Sequence, residues 1–425
     1  MVRFPGHRAD YNAHSMSRAP DILYLANARI PSEKAHVYQI LKMCEAWNAL
    51  GYQVELAYPG RQNTARMAQV SDLAGYYGLG PAFCRTRLVR LPSLDLIKLL
   101  TLDLPQLNRT PLVQAAFYLQ SVTFALACAW YLRRSRAGIV YTRDLAVLGL
   151  TRLLGRARKR WYLELHDAPR GAARLAWRLV MPRLAGIICI TEGLARWCRA
   201  HGAHGIPLIV APDAVDPARL AAAPARAEAR RLLGLPQDRP VACYTGHLYR
   251  WKGVYTLADA ARLLPPEWLV CIVGGVGEHL DALRRYVAAR SGGAEVRLPG
   301  YVPPAQVPIW LAAADVLVLP NSAQDPISRE YTSPLKLFEY MAAGRPIVAS
   351  DLPSLREVLE HGRNAWLVAP DDPAALAGAL CTVRDDPALA GRLAERAHAD
   401  VAAYTWEARA RRLAAWLFHR KSESR

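Results

Sequence analysis

The chain has 425 residues, 52% of them apolar, with a mean hydropathy of +0.02 and a formal charge of +18. That length carries two domains with their own cores, and that composition fits an α/β protein that is soluble or rests on a membrane. Eight cysteines (Cys44, Cys84, Cys128, Cys189, Cys198, Cys243, Cys271 and Cys381) include no C-x-x-C pair, which excludes a disulfide framework and a zinc site and fits a reducing cytosol.

The charge is unevenly placed. Residues 1–210 hold 28 Lys and Arg against 12 Asp and Glu, so they carry +16 and the remainder +2. A basic half suggests an anionic partner: membrane lipid, a phosphorylated acceptor or nucleic acid. The bland alternative is an arginine-rich composition with no partner. The first twenty residues, with Arg3, His7, Arg8 and Asp10, lack an apolar core, so they read as a flexible start and not as a signal peptide.

Residues 21–26 read as a first strand, 33–50 as a helix stopped by Gly51, and 54–57 as a second strand. This βαβ opening implies a parallel sheet. At the loop-helix junction, Arg29, Lys34 and His36 could meet an anionic acceptor or form a solvated helix start. Residues 94–107 carry Leu96, Ile97, Leu99 and Leu100 and could dip into lipid. Residues 111–132 are apolar over a length that could cross a bilayer. Such a crossing would interrupt the α/β domain between its strands, so a buried helix is the preferred reading.

Strands at 138–141, 161–165 and 186–190 lead into Thr142-Arg143-Asp144, His166-Asp167 and Thr191-Glu192-Gly193. Ligands of open parallel sheets meet the carboxyl ends of strands, where these polar groups lie. Alone, His166 would be a satisfied core histidine; three polar stations in order favour a cleft.

A second βαβ series begins at 241–244, followed by Gly246, His247, Arg250, Lys252 and Gly253. The strand at 269–273 ends in Gly274-Gly275-Val276-Gly277, which is not a clean G-x-G-x-x-G, so a dinucleotide site is weakly indicated. Residues 332–350, TSPLKLFEYMAAGRPIVAS, read as a loop, a short helix, a glycine stop and a buried strand. Ser333 is expected to cap that helix, with Pro334 in its first turn. The helix N-terminus and Lys336 could hold a diphosphate, and Glu339 could take ribose hydroxyls. The plain alternative is an amphipathic helix with a Lys336–Glu339 pair.

The wording of residues 245–253 and 332–350 resembles family 4 glycosyltransferases, which have the two-domain GT-B fold. The likeness covers residues 21–418 and implies two Rossmann-like domains with a cleft between them. The implied division is 1–20 as a flexible N-terminus, 21–215 as acceptor domain and 216–405 as nucleotide-sugar domain. Residues 406–425 would be a helix crossing back to the first domain. The resemblance implies that Gly246, His247, Arg250 and Lys252 face the donor diphosphate together with Ser333, Pro334, Leu335 and Lys336. Tyr301 and Val302 would lie against the base, Glu339 at the ribose and His166 at the donor sugar. His247 stands where the family has arginine, Ala214 replaces a junction glycine, and Tyr331 takes the place of a first glutamate, with Glu330 one residue away. The resemblance implies His166, Arg250, Lys252 and Glu330 as the catalytic set.

The reaction implied is retaining transfer from a UDP- or GDP-linked sugar to a saccharide or lipid-linked acceptor, without a metal or other cofactor. The expected setting is the cytoplasmic face of an anionic membrane, in surface-glycan synthesis. No D-x-D, H-E-x-x-H, G-x-S-x-G or Walker A motif occurs. A sugar-nucleotide epimerase and a non-catalytic binder of anionic ligands remain open. Nucleic acid is disfavoured, because no helix-turn-helix, zinc or RNP pattern accompanies the charge.

Overall fold

The computed structural model describes residues 19–96, 111–154 and 159–418. Two all-parallel sheets organise it. The first contains β1 (Ile22–Leu25), β2 (Val54–Pro59), β3 (Arg87–Leu91), β4 (Ile139–Thr142), β5 (Arg160–Leu165), β6 (Gly186–Cys189) and β7 (Leu208–Val210). Their spatial order is β3-β2-β1-β4-β5-β6-β7. The second contains β8 (Val241–Thr245), β9 (Leu269–Val273), β10 (Glu295–Gly300), β11 (Val316–Leu319), β12 (Ile347–Ser350) and β13 (Trp366–Val368), in the order β10-β9-β8-β11-β12-β13. The two-domain α/β fold expected from the sequence is therefore present.

The central strands are short apolar runs because helices cover both faces of the sheets there, whereas the edge strands β3, with exposed Arg87 and Arg90, and β10 are more polar. The two-residue pleat divides each run between two cores. In β1, Ile22 and Tyr24 enter one cluster, while Leu23 and Leu25 enter the other. In β8, Val241 and Cys243 face one cluster, and Ala242 and Tyr244 the opposite one. Each sheet reverses its winding beside its first strand, between β1 and β4 and between β8 and β11. Such switch points open a crevice at the carboxyl ends of the strands. Here the two crevices face each other.

The last helix, Trp406–Phe418, packs on the first domain. Trp406, Leu413 and Leu417 join the core built on β1 and the helix Ala35–Ala49. Phe418 stacks on Tyr52 with ring centroids 4.7 Å apart.

The helix Pro111–Leu132 departs from the buried reading. Gln120, Ser121, Phe124, Ala125, Cys128 and Leu132 are buried, and Gln120 and Ser121 both bond to Asn27 beside β1. The opposite side is exposed, so the helix is length-competent to cross a membrane yet fixed to the sheet by one face. Its apolar residues run around the whole circumference, which hid this division. Of the apolar run 94–107, residues 97–107 lie outside the described residues, and Leu94 is exposed.

Candidate active site at the domain cleft

A cleft of about 480 Å³ separates the two sets of strand ends. On the second domain its wall begins at the end of β8. Gly246, with φ of +134°, turns the chain beside Gly274, at φ +122°. A Cβ on Gly274 would lie 2.2 Å from the Gly246 carbonyl oxygen, so only glycine permits this approach. The turn leaves room for two lysines. Lys336 Nζ lies 3.5 Å from the centre of the Tyr244 ring and has no hydrogen-bond partner among the described residues. Burial, with Lys252 nearby, holds its proton affinity well below the ordinary lysine value. Lys252 Nζ lies 3.8 Å over the Trp251 ring, and burial lowers its pKa to about 7, against the opposing pull of Asp213. Two lysines sharing a desolvated wall, whose charged forms a multiply charged anion would favour, make a receptor for such an anion.

Thr332, Ser333, Pro334 and Leu335 also line the cleft, at the start of the helix Leu335–Ala342. Pro334, not Ser333, occupies the cap position. The Ser333 hydroxyl instead accepts the backbone N–H of Asp213 at 3.0 Å, binding the domain junction to this loop. Burial raises the Glu339 pKa, and its carboxylate pairs with Arg219 at 3.4 Å. Arg219 also donates to the Tyr38 hydroxyl (2.6 Å) and the Pro304 carbonyl (2.7 Å), joining both walls.

The first-domain wall is built around Glu164, at the end of β5. Its fully buried carboxylate meets Gln39 (2.7 Å), the Tyr141 hydroxyl, His166 and Arg409 (3.2 Å). Burial alone would raise its pKa, but Arg409, His166 and Arg143 outweigh it and hold the group well below the ordinary carboxylate range. Burial and Arg143 lower the His166 pKa to about 4, and burial and Arg143 bring His36 to about 3. His247, from the other wall, falls to about 4 through burial and the charges of Lys252 and Lys336. All three imidazoles are therefore neutral near pH 7. Asp213 is pushed up to about 6 by burial, against Arg409 and Arg143.

Glu164, His166 and Asp213 bring their ligand atoms within 4.8 Å of one another, a spacing that could admit a metal ion. The surroundings do not suit one. Both Glu164 oxygens already accept hydrogen bonds, and Arg409 and Arg143 supply the positive charge. The cluster is a hydrogen-bonded charge network.

The cleft thus gathers His166, Gly246, His247, Lys252, Tyr301, Val302, Ser333, Pro334, Leu335, Lys336 and Glu339. Two expected residues lie elsewhere. Arg250 is exposed, with its guanidinium 5.0 Å over the Tyr255 ring. It sits two residues before Lys252 in a tight 3-10 turn, whose 120° steps aim the two side chains apart. Glu330 pairs with Arg196 (3.5 Å) and Arg329 (3.3 Å) at the domain contact. Its backbone carbonyl accepts from Thr191 and would lie 2.1 Å from any Cβ at Gly193.

The station at 191–193 also serves that contact. The Glu357 carboxylate accepts the N–H groups of Glu192 (2.9 Å) and Gly193 (3.3 Å) at the helix start. Across the cleft mouth, the Tyr301 and Tyr76 hydroxyls meet and Arg66 lies 4.8 Å over the Tyr301 ring. Sequence reasoning did not find Gln39, Asp213, Arg219 or Arg409. The buried Arg409 belongs to an Arg-rich helix that looks like ordinary solvated surface.

Residues 239–386 match the family described as "Glycosyl transferases group 1". The D-inositol 3-phosphate glycosyltransferase of Streptomyces avermitilis is 31% identical over 255 residues, covering 57% of this chain and 53% of the relative. The chain thus spans about half the length of the curated relatives it matches. Two solved structures share the whole fold. Sucrose-phosphate synthase from Thermosynechococcus elongatus superposes with a TM-score of 0.72 at 20% identity, over 95% of this chain and 99% of its own. Anabaena Alr3699/HepE in complex with UDP-glucose gives 0.70 at 18% identity, over 93% and 98%. Residues 239–386 are a glycosyl transferases group 1 domain, set in a two-domain GT-B fold.

Proposed function

We propose that the chain is a retaining glycosyltransferase that moves a sugar from a UDP- or GDP-linked donor to a lipid-linked saccharide acceptor. The observation that carries this reading is the pair of desolvated lysines, Lys252 in the 3-10 turn that follows β8 and Lys336 at the start of the helix Leu335–Ala342. Glycosyl transfer breaks the bond between the anomeric carbon and the diphosphate, leaving negative charge on the diphosphate and positive charge on the sugar. Preorganised ammonium groups and helix-start N–H groups stabilise that departing charge.

The acceptor oxygen then bonds to the anomeric carbon from the same face, and its proton passes to the released diphosphate. His166 is neutral and a weak base, which suits hydrogen bonding to a donor hydroxyl better than proton abstraction. Glu339, which pairs with Arg219, would take the ribose hydroxyls. The UDP-glucose in the Anabaena structure supports a nucleotide-sugar donor. The inositol 3-phosphate in the Streptomyces relative's name supports an anionic acceptor.

The basic first half suits the anionic cytoplasmic face of a membrane, where a lipid-linked acceptor in surface-glycan synthesis would be presented. No metal or other cofactor enters the proposed reaction. Incubation with a panel of sugar nucleotides tests the reading. Slow release of UDP or GDP is expected; conversion into a second sugar nucleotide would favour an epimerase, and no turnover would favour a binding protein.

A further inference from the structure

One face of the first domain carries an apolar ridge that the cleft does not use. On the helix Pro111–Leu132, Tyr118 (62% exposed), Val122, Leu126 (50%) and Trp130 (54%) recur every fourth residue, flanked by exposed Phe117 and Leu119. An i, i+4 row forms a continuous ridge, and the twelve residue steps from Tyr118 to Trp130 extend it over about 18 Å. The helices Leu145–Leu154 and Ala172–Val180 follow side by side in the same layer, against the core shared by β1, β4 and β5. On the latter, Leu175 and Leu179 form a second exposed i, i+4 pair.

The charge carried by the three helices themselves has one sign. These three helices contain no Asp or Glu. Arg133, Arg134 and Arg136 follow the ridge and are exposed, as are Arg174 and Arg178 beside the leucines. Arg134 lies 3.9 Å over the Trp130 ring, at the ridge end. Exposed apolar patches of this kind mark binding surfaces. A protein partner would need an acidic rim of its own to match a rim of arginines alone. Anionic headgroups supply that match everywhere, and Trp and Tyr favour the headgroup level.

We infer that this layer seats the protein on an anionic lipid surface, with the helix Pro111–Leu132 lying in the membrane plane and its Tyr118–Trp130 ridge entering the acyl boundary. The inference deepens the lipid-linked acceptor reading and rests on it for its purpose. The ridge belongs to the domain assigned to the acceptor, so seating it would bring that side of the cleft to the membrane.

Flotation with phosphatidylcholine vesicles, with and without phosphatidylglycerol, tests it. The wild type should float with the anionic vesicles, less so as salt shortens the Debye length. Replacing Arg133, Arg134 and Arg136 by Gln should lower partitioning by roughly a hundredfold at low salt. The triple change Tyr118→Ser, Leu126→Ser, Trp130→Ser should abolish flotation while far-UV circular dichroism and donor hydrolysis in solution stay unchanged. The Lys252→Ala protein should still float, which separates this inference from the donor reading. Flotation that persists in the serine variant, absence of wild-type flotation, or a solution dimer that the serine changes dissociate would each overturn it.

Discussion

Binding of a nucleoside diphosphate should draw protons out of solution. Lys252 has its pKa lowered to about 7 by burial, with Asp213 opposing, and Lys336 is lowered by burial and by Lys252. A diphosphate between them favours the charged forms and returns both toward the ordinary lysine value near 10.5. At pH 8, about one-tenth of Lys252 is protonated without ligand and nearly all with it, an uptake of about 0.9 proton. At pH 6 the same lysine contributes about 0.1, and Lys336, lowered in the same direction, adds to the uptake.

The sign also fixes the affinity: it should fall about fivefold from pH 7 to 8 through Lys252 alone, and nearly tenfold over the next unit. Without ligand, the folded state binds fewer protons than the unfolded state between pH 7 and 10.5. This lysine therefore makes the free protein more stable as pH rises through that window. Isothermal titration of UDP and GDP in buffers of different ionisation enthalpy measures the uptake. Lys252→Met should remove its share. No net uptake at pH 8, or the same uptake in Lys252→Met, would refute the placement of the diphosphate between these groups.

Three further outcomes are expected. Lys252→Ala and Lys336→Ala should each cost about 2–4 kcal/mol of transition-state stabilisation, read as kcat/KM, and full activity in the double variant would contradict their role. Glu339→Gln should weaken nucleoside diphosphate binding in the same titration while a cooperative thermal transition is retained; unchanged affinity would leave Glu339 as a partner of Arg219 alone. Arg409→Met strands the buried Glu164 carboxylate and should cost about 3–5 kcal/mol in urea unfolding at pH 7. Because the folded-state pKa of Glu164 lies below its ordinary 4.5, that loss should be full above pH 4.5 and shrink as pH falls further.

The central strands were legible because each is a short apolar run bounded by polar or glycine residues. The outer strands β3, β7 and β13 were not: Arg87 and Arg90 break the apolar run of β3, and β7 and β13 are three residues each. The second-domain wall of the cleft was legible because Gly246, Lys252, Lys336 and Glu339 lie within short stretches whose local geometry brings them together. Arg250 and Glu330 show where that reasoning stops. Two steps of about 120° in a 3-10 turn aim Arg250 away from Lys252, and Glu330 lies in a π-helical segment, Ile327–Tyr331, whose wider winding moves it to the domain contact. Arg409 and Glu164 are joined by the return of the last helix across the first domain, a long-range contact with no local signature. The exposed ridge on Pro111–Leu132 was hidden for a different reason: Phe124 and Cys128, which are buried, and Leu126 and Trp130, which are not, are equally apolar.

The central claim is that this cleft activates a sugar nucleotide for transfer with retention. Its most direct measurement is proton NMR of acceptor-free turnover, following both the nucleoside diphosphate and the anomeric signal of the first sugar released. The account predicts release of UDP or GDP together with a sugar of the donor's own anomeric configuration, and loss of that signal in the Lys252→Ala, Lys336→Ala protein. Release of the opposite anomer, appearance of a second sugar nucleotide, or turnover unaffected by the two substitutions would contradict it.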